Sequence, residues 1–572
     1  MKFSTLASTS VWTKSVAISL LAIGLGCRAS DPVRHRPTIA VRTVEPIEES
    51  SEPDSAPVQT VGFQEETRDQ NSVQESDPKT EQEKPNATKP QDDGKSKQER
   101  PELEGADKPL FPRLIRSKEE GQDDSSKTSL VSVATSVHKT YPLLDLAYQQ
   151  NQIAAGKQLA SVGGFDTALK ASTENVALGF YENYRNKTGF SQPLYHGGEV
   201  FAGYRSGRGD FEPWYQERET NEGGEFRFGT RIPLLRDRDI DSRRAKLWQA
   251  EYDQQRAVPE IRSQLIVFVR DASVAYWSWV AAGQKYEIGK AALDLAKTRN
   301  DQLKRRVDLG AVDPPVLQDN LRSIARREAK LLELKRKLAQ AAIKLSLFYR
   351  TEDGQPIVLK VDQLVGFPQP KPVDKKSEER DIRTALSNRP ELEVLNAIQG
   401  RVQVELEAAR NRGLPAIDAR VTGSQDVGGA TSAKRDKSQF ELEAGIFFDF
   451  KLQRREAIGR SQIANAKLIQ ISAKRQFAQD KISAEVSAAY AIVLAAYERV
   501  AKAREARRLA EYMANIERRK LELGGSDLFA VVFREQQAIE ASEEVADALL
   551  EYFIGKARLN AAIANEWPES TE

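Results

Sequence analysis

The sequence predicts a mainly α-helical protein with a small β part, assembled from two copies of one large unit. Two matching turns give the first sign: "VDLGAVDPP" at 307–315 and "LELGGSDLF" at 521–529. Gly524 follows Gly310 by 214 residues, and Asp527 follows Asp313 by the same interval. The same offset carries Ile232 onto Ile446 and Tyr276 onto Tyr490, and it holds without insertion from about 232 to 313. An internal register of this length marks a duplication of a whole unit rather than a short solenoid repeat. The third sign is that each copy holds a period-2 hairpin followed by a long helical stretch, residues 239–309 and 455–523. At 1.5 Å per residue each stretch spans on the order of 100 Å.

The elements follow in order. Lys2 and Lys14 flank the start of the chain, and the apolar run "SVAISLLAIGLGC" ends on Cys27, the only cysteine. A basic n-region and a short apolar core read as an export signal, residues 1–27. "IGLGC" is similar to a bacterial lipobox, which makes Cys27 the candidate lipid anchor; the alternative is ordinary signal cleavage near Gly26 or Ala29. Residues 28–135 are rich in Glu, Asp, Lys, Gln, Pro and Ser without apolar periodicity, the composition of a disordered polar linker.

The first repeat is assigned to 136–348: a helix, a hairpin, the long helix and a return helix. In "EFRFGTRIPLL", Phe226, Phe228, Ile232 and Leu234 alternate with Glu225, Arg227, Gly229 and Arg231. "GEVFAGYRSG" supplies the other strand, and the loop between carries Trp214 and Tyr215, read as an aromatic girdle or a folded loop. Residues 349–380 are broken by prolines and predict an irregular segment. The second repeat, 381–565, holds the hairpin "PAIDARVTGSQ" and "FELEAGIFFDF", whose apolar face is opposed by Glu441 and Glu443. Residues 566–572 form a tail. Two hairpins give four strands, too few to close a barrel in one chain. Alanine-rich stripes in the long helices suggest close helix–helix packing, which makes Trp277 and Trp279 packing residues.

Composition removes several function classes. Net charge is +1, with 30% charged and 7% aromatic residues, and no basic patch is interleaved with aromatics, so no nucleic-acid partner is expected. Three scattered histidines and one cysteine offer no metal site, cofactor site or His-based catalysis. Walker A, G-x-S-x-G and H-E-x-x-H patterns are absent from the sequence, so an enzyme is not expected. After the signal no run approaches 18 apolar residues, and any further membrane contact falls to β-strands.

"ALSNRPELEVLNA", "AARNRGLPAI", "AYW" at 275–277 and the paired Gly-x-x-Asp turns resemble the TolC family of outer-membrane efflux proteins, as does the duplicated plan over most of 137–565. The resemblance implies a homotrimer whose four strands per copy make a 12-stranded outer-membrane β-barrel in lipid, continued by a periplasmic coiled-coil barrel of α-helices. It implies a passive exit duct of a tripartite efflux or type I secretion system, coupled through a periplasmic adaptor to an inner-membrane pump. Most of the chain would be periplasmic, in a Gram-negative-type bacterium. Gly310, Asp313, Gly524 and Asp527 would form the periplasmic tips that dock the adaptor and gate the pore, or simply reverse the chain and cap the next helix. Arg305, Arg306, Arg518 and Arg519 are candidates for gate ion pairs, with a solvated helix face as the alternative. Arg227, Arg231, Glu441 and Glu443 would line the barrel lumen. The competing readings are a periplasmic coiled-coil adaptor or scaffold, which would carry one helical hairpin rather than two, and an exported enzyme.

Overall fold

The structure is a computed structural model that describes residues 109–115, 127–431 and 436–568. Cys27 lies outside the described residues, as does most of the 28–135 linker. Part of that linker is ordered nevertheless. Its apolar island "LFPRLI" buries Phe111 and Leu114, and Phe367 donates its N–H to the Leu114 carbonyl at 2.9 Å. Arg507 in turn donates to the carbonyls of Phe111 and Pro112, each at 3.0 Å.

Among the described residues, eight α-helices and six strands follow: α1 (Leu130–Thr140), α2 (Pro142–Val162), β1 (Ala168–Val176), β2 (Asn183–Pro193), β3 (Glu199–Gly209), β4 (Glu225–Pro233), α3 (Ser242–Asp308), α4 (Pro314–Ser346), α5 (Glu378–Asn388), α6 (Pro390–Arg412), β5 (Ala416–Asp426), β6 (Glu441–Asp449), α7 (Arg455–Glu522) and α8 (Leu528–Ala562). Among the described residues, 349–377 hold only short 3-10 turns and isolated β-bridges, Arg350 to Pro356 and Phe367 to Ile115. Helix α3 begins where Asp241 accepts the Arg244 N–H at 2.8 Å, an N-cap that satisfies an orphan donor. Prolines open α2, α4 and α6, where a missing N–H is harmless. Pro259 sits inside α3 and removes one ladder bond there.

The long helices pack in pairs, α3 on α4 and α7 on α8, with α6 between α3 and α7. Small side chains allow this. Ala489, Val493, Ala496 and Val500 of α7 are buried, as are Ala538, Ser542, Val545 and Leu549 of α8, spaced by threes, fours and sevens as a coiled-coil seam requires. Part of α3 is long and apolar enough to cross a membrane by composition, at mean hydropathy 1.2. Trp279, Val280 and Ile288 of that helix are instead fully buried in the helical core. Trp277 stacks on Phe553 of α8 at 4.4 Å between ring centroids and on Phe367 at 5.7 Å. That stack ties the irregular segment to two helices, and Trp277 and Trp279 pack as anticipated.

The sheet corrects the expectation of four strands. Six strands pair in one antiparallel sheet in sequence order, so the first unit contains two hairpins. The four strands per copy on which the count of twelve rested are thus six in this chain. The additional hairpin β1–β2 has weak alternation, because Thr173, Asn186 and Thr188 interrupt the face that carries Leu169 and Phe190.

Candidate transport conduit

Strand register sorts the sheet into two chemically different faces. One row of directly paired residues crosses all six strands: Leu169, Phe190, Ala202, Phe228, Gly423 and Leu442. Ile232, Val421, Ile446 and Phe448 lie on the same face by the period of two. These large apolar side chains are exposed, Leu442 by 67% and Ile446 by 74%, far from the burial usual for such residues.

The opposite face is charged. It brings together all four residues singled out for the lumen, Arg227, Arg231, Glu441 and Glu443. Arg227 lies 3.7 Å from Glu443 and Arg231 lies 2.7 Å from Asp418. Arg185 pairs with Glu174 at 3.1 Å, and Arg205 with Glu225, so the added hairpin joins the same lattice of cross-strand ion pairs. Phe447 breaks the alternation on this face and lies 4.8 Å beneath the Arg420 guanidinium. Trp214 and Tyr215 fall in the β3–β4 loop. There Arg218 sits 3.8 Å over the Tyr215 ring, the folded-loop arrangement, while Trp214 is exposed.

Where the sheet meets the helices, Arg244 is buried and donates to three carbonyls, those of Asp237, Arg238 and Asp239, at 2.6–3.0 Å. Asn411 and Asp237 exchange two hydrogen bonds at 3.1 Å. These bonds hold the descending strand β4 and the ascending helix α6 together at the joint.

The far ends are the two turns. Gly310 has φ 69° and Gly524 φ 81°, left-handed values that favour glycine. The two aspartates differ. Asp527 accepts the Ala530 N–H at 2.7 Å and caps α8. Asp313 makes no side-chain cap, contrary to a capping role at both tips. Pro314 and Pro315 have no N–H to offer, and the next one, Val316, bonds the Asp313 backbone carbonyl at 3.2 Å. The Asp313 carboxylate is therefore left on the exposed surface. At the second tip the Ser526 hydroxyl donates to Glu517 and holds that carboxyl below its ordinary range. Arg305 and Arg306 occupy the last turn of α3, and Arg518 and Arg519 lie near the end of α7 in sequence. Arg519 pairs locally with exposed Glu522 at 3.0 Å, the solvated-face alternative. Leu309 and Leu523, again 214 residues apart, are 82% and 71% exposed.

Sequence reasoning missed one cluster above the tips. Glu535 of α8 is fully buried, and its Oε2 accepts from Arg299 of α3 and from Arg327 of α4, the latter at 2.8 Å. Arg327 also donates to the Ala292 carbonyl at 2.5 Å. Burial depresses the Arg299 guanidinium below the ordinary arginine value, against the pull of Glu535. Glu535 Oε1 and Arg299 Nη1 have no protein partner. A signal existed: Asn320, Arg327 and Leu334, all buried, are spaced by sevens along α4, so a charge sits on the packing seam.

One sheet thus carries a charged, internally paired face and an exposed apolar face, and it is mounted on helices of about 100 Å. No protein-family model matches the sequence, and no curated protein matches it. Solved structures do. The Campylobacter jejuni CmeC outer membrane channel covers 81% of this chain and 92% of its own at 13% identity, with a TM-score of 0.53. The outer membrane protein VceC of Vibrio cholerae covers 76% and 96% at 13% identity and 0.53. The open state of the Neisseria gonorrhoeae MtrE outer membrane channel covers 81% and 98% at 14% identity and 0.53. The chain has the fold of the TolC-type outer-membrane efflux channels.

Proposed function

We propose that the protein is a passive exit duct of the outer membrane: three copies close their sheets into one barrel and their helices into a periplasmic tunnel. The observation that carries this is the apolar row across the sheet. A monomer would leave that row in water and both sheet edges unpaired, whereas a closed barrel in lipid resolves both problems. The charged face then lines the lumen with Arg227, Arg231, Glu441 and Glu443. The duct itself performs no catalysis, and an inner-membrane pump supplies the driving force through a periplasmic adaptor. Cys27 supplies the lipid anchor, and the Cys27→Ala variant should lose acyl labelling. Solubilised protein is expected to run at trimeric mass and to conduct in planar bilayers; a soluble monomer without conductance overturns the reading.

The six tips of such a trimer form the docking and gating rim. Asp313, free of a capping role, and the exposed Leu309 and Leu523 offer a charge and apolar contacts to the adaptor. Replacing Asp313 and Asp527 together by alanine should weaken adaptor capture at least tenfold, with the Asp527 change adding about 1 kcal/mol of lost capping. Pull-down titration of adaptor checks this, and unchanged capture with an unchanged closed-state conductance returns both residues to plain turn positions.

A further inference from the structure

The hairpin β1–β2 has no counterpart at the 214-residue offset, since among the described residues the second unit holds only β5 and β6. It is nonetheless built like the rest of the wall. Leu169 and Phe190 extend the apolar row, and Glu174 with Arg185 extends the charged lattice. The joint to β3 is unusually close: Gly189 faces Gly203, and a Cβ on Gly189 would stand 2.7 Å from the Ala202 carbonyl oxygen and 2.8 Å from the Gly203 Cα. Facing glycines in strand interiors are where a sheet bends or backbones approach. The free edges also match. β1 and β6 each have nine residues, and each is exposed along almost its whole length. Because six is even, β1 and β6 run in opposite directions, so the β6 edge of one copy meets the β1 edge of a second copy as an antiparallel pair.

We propose that all six strands enter the membrane wall, that copies join β6 to β1, and that the β1–β2 hairpin thereby sets the bore at eighteen strands. The proposal rests on the trimeric duct reading. With strands about 4.8 Å apart and tilted about 40°, eighteen strands give a backbone diameter of about 35 Å, and twelve would give about 24 Å. A ring of twelve helices at spacings of about 9–10 Å, from α2, α3, α6 and α7, which adjoin the sheet in each copy, measures about 36 Å across. The eighteen-stranded wall therefore continues the tunnel without a step, and twelve strands would neck it. Size selection then leaves the barrel and falls to the tips and the outer loops, so the membrane end admits any solute that the tunnel admits.

Cysteine pairs test the edge. One cysteine replaces Lys170, Ser172 or Glu174 in β1, and one replaces Glu443, Gly445 or Phe447 in β6. The full-length variants are oxidised in outer membranes, with each single replacement as the control for Cys27. Register-matched pairs such as Ser172→Cys with Gly445→Cys should convert most of the monomer band into covalent dimer and trimer on a denaturing gel. Absence of cross-linking at every β1–β6 pair, in protein of trimeric native mass, overturns the proposal. A monomeric native mass instead overturns the duct reading beneath it. Electron cryomicroscopy of the unaltered protein in nanodiscs supplies the independent count: eighteen strands agree, and twelve with β1–β2 outside the wall refute.

Discussion

Replacing Glu535 by alanine lowers stability by about 3–5 kcal/mol, the largest effect expected of a single helical residue here. The change strands Arg299 and Arg327 in a buried site with no carboxylate to share. Cavity formation contributes less than the desolvated charge left unpaired. Glu535→Gln keeps the volume and removes the charge, and it should lose nearly as much. The triple replacement Arg299→Leu, Arg327→Leu and Glu535→Met should recover most of the loss, since a packed apolar cluster of similar volume is commonly no less stable than a buried ion triad. Thermal unfolding of the detergent-solubilised protein reads all three. Equal melting temperatures for wild type and Glu535→Ala would mean that the cluster does not stabilise the fold, and failure of the triple variant to recover would assign its effect to packing.

Phe228→Lys should abolish insertion of folded protein into the outer membrane, whereas Arg227→Ala, one residue away, should leave insertion intact. The two side chains stand on opposite faces of β4. A lysine at the middle of the lipid-facing side of a barrel costs about 2–4 kcal/mol per copy, and a symmetric trimer would incur this three times. Loss of Arg227 forfeits only a half-exposed pair with Glu443, worth about 0–1 kcal/mol. Membrane fractionation and protease protection give the readout. Similar insertion of both variants would mean that the apolar row does not meet lipid.

The legible part of the fold was the part where chemistry repeats with a fixed period. Strands β3 to β6 announced themselves by alternation, the long helices by their length and alanine stripes, and the tips by Gly310 and Gly524, whose positive φ angles only a turn requires. The hairpin β1–β2 stayed hidden for two reasons. Its outward positions include Thr173, Asn186 and Thr188, which blur a period of two, and a search for duplicated features cannot find an element present once. The Glu535 cluster stayed hidden because a charged residue in a charged helix reads as surface until its seven-residue spacing with packed neighbours is noticed. The difference between Asp313 and Asp527 needed coordinates, because only the backbone geometry after Pro314 and Pro315 decides which carboxylate is used. The apolar island at 110–115 was informative but was outweighed by the polar composition around it.

The aromatic stack of Trp277, Phe367 and Phe553 has a mechanical consequence. It clamps α3 to α8 part-way along their length, so the portion of α3 from Trp277 to Asp308 acts as a lever of about 46 Å beyond a fixed fulcrum. A swing of about 5° at the fulcrum displaces the end by about 4 Å, so small rotations there become large displacements at the turn. Arg299 lies within the lever, well beyond the fulcrum. The buried triad is therefore placed where it resists such a swing with an arm of about 33 Å, about seven-tenths of that of the tip.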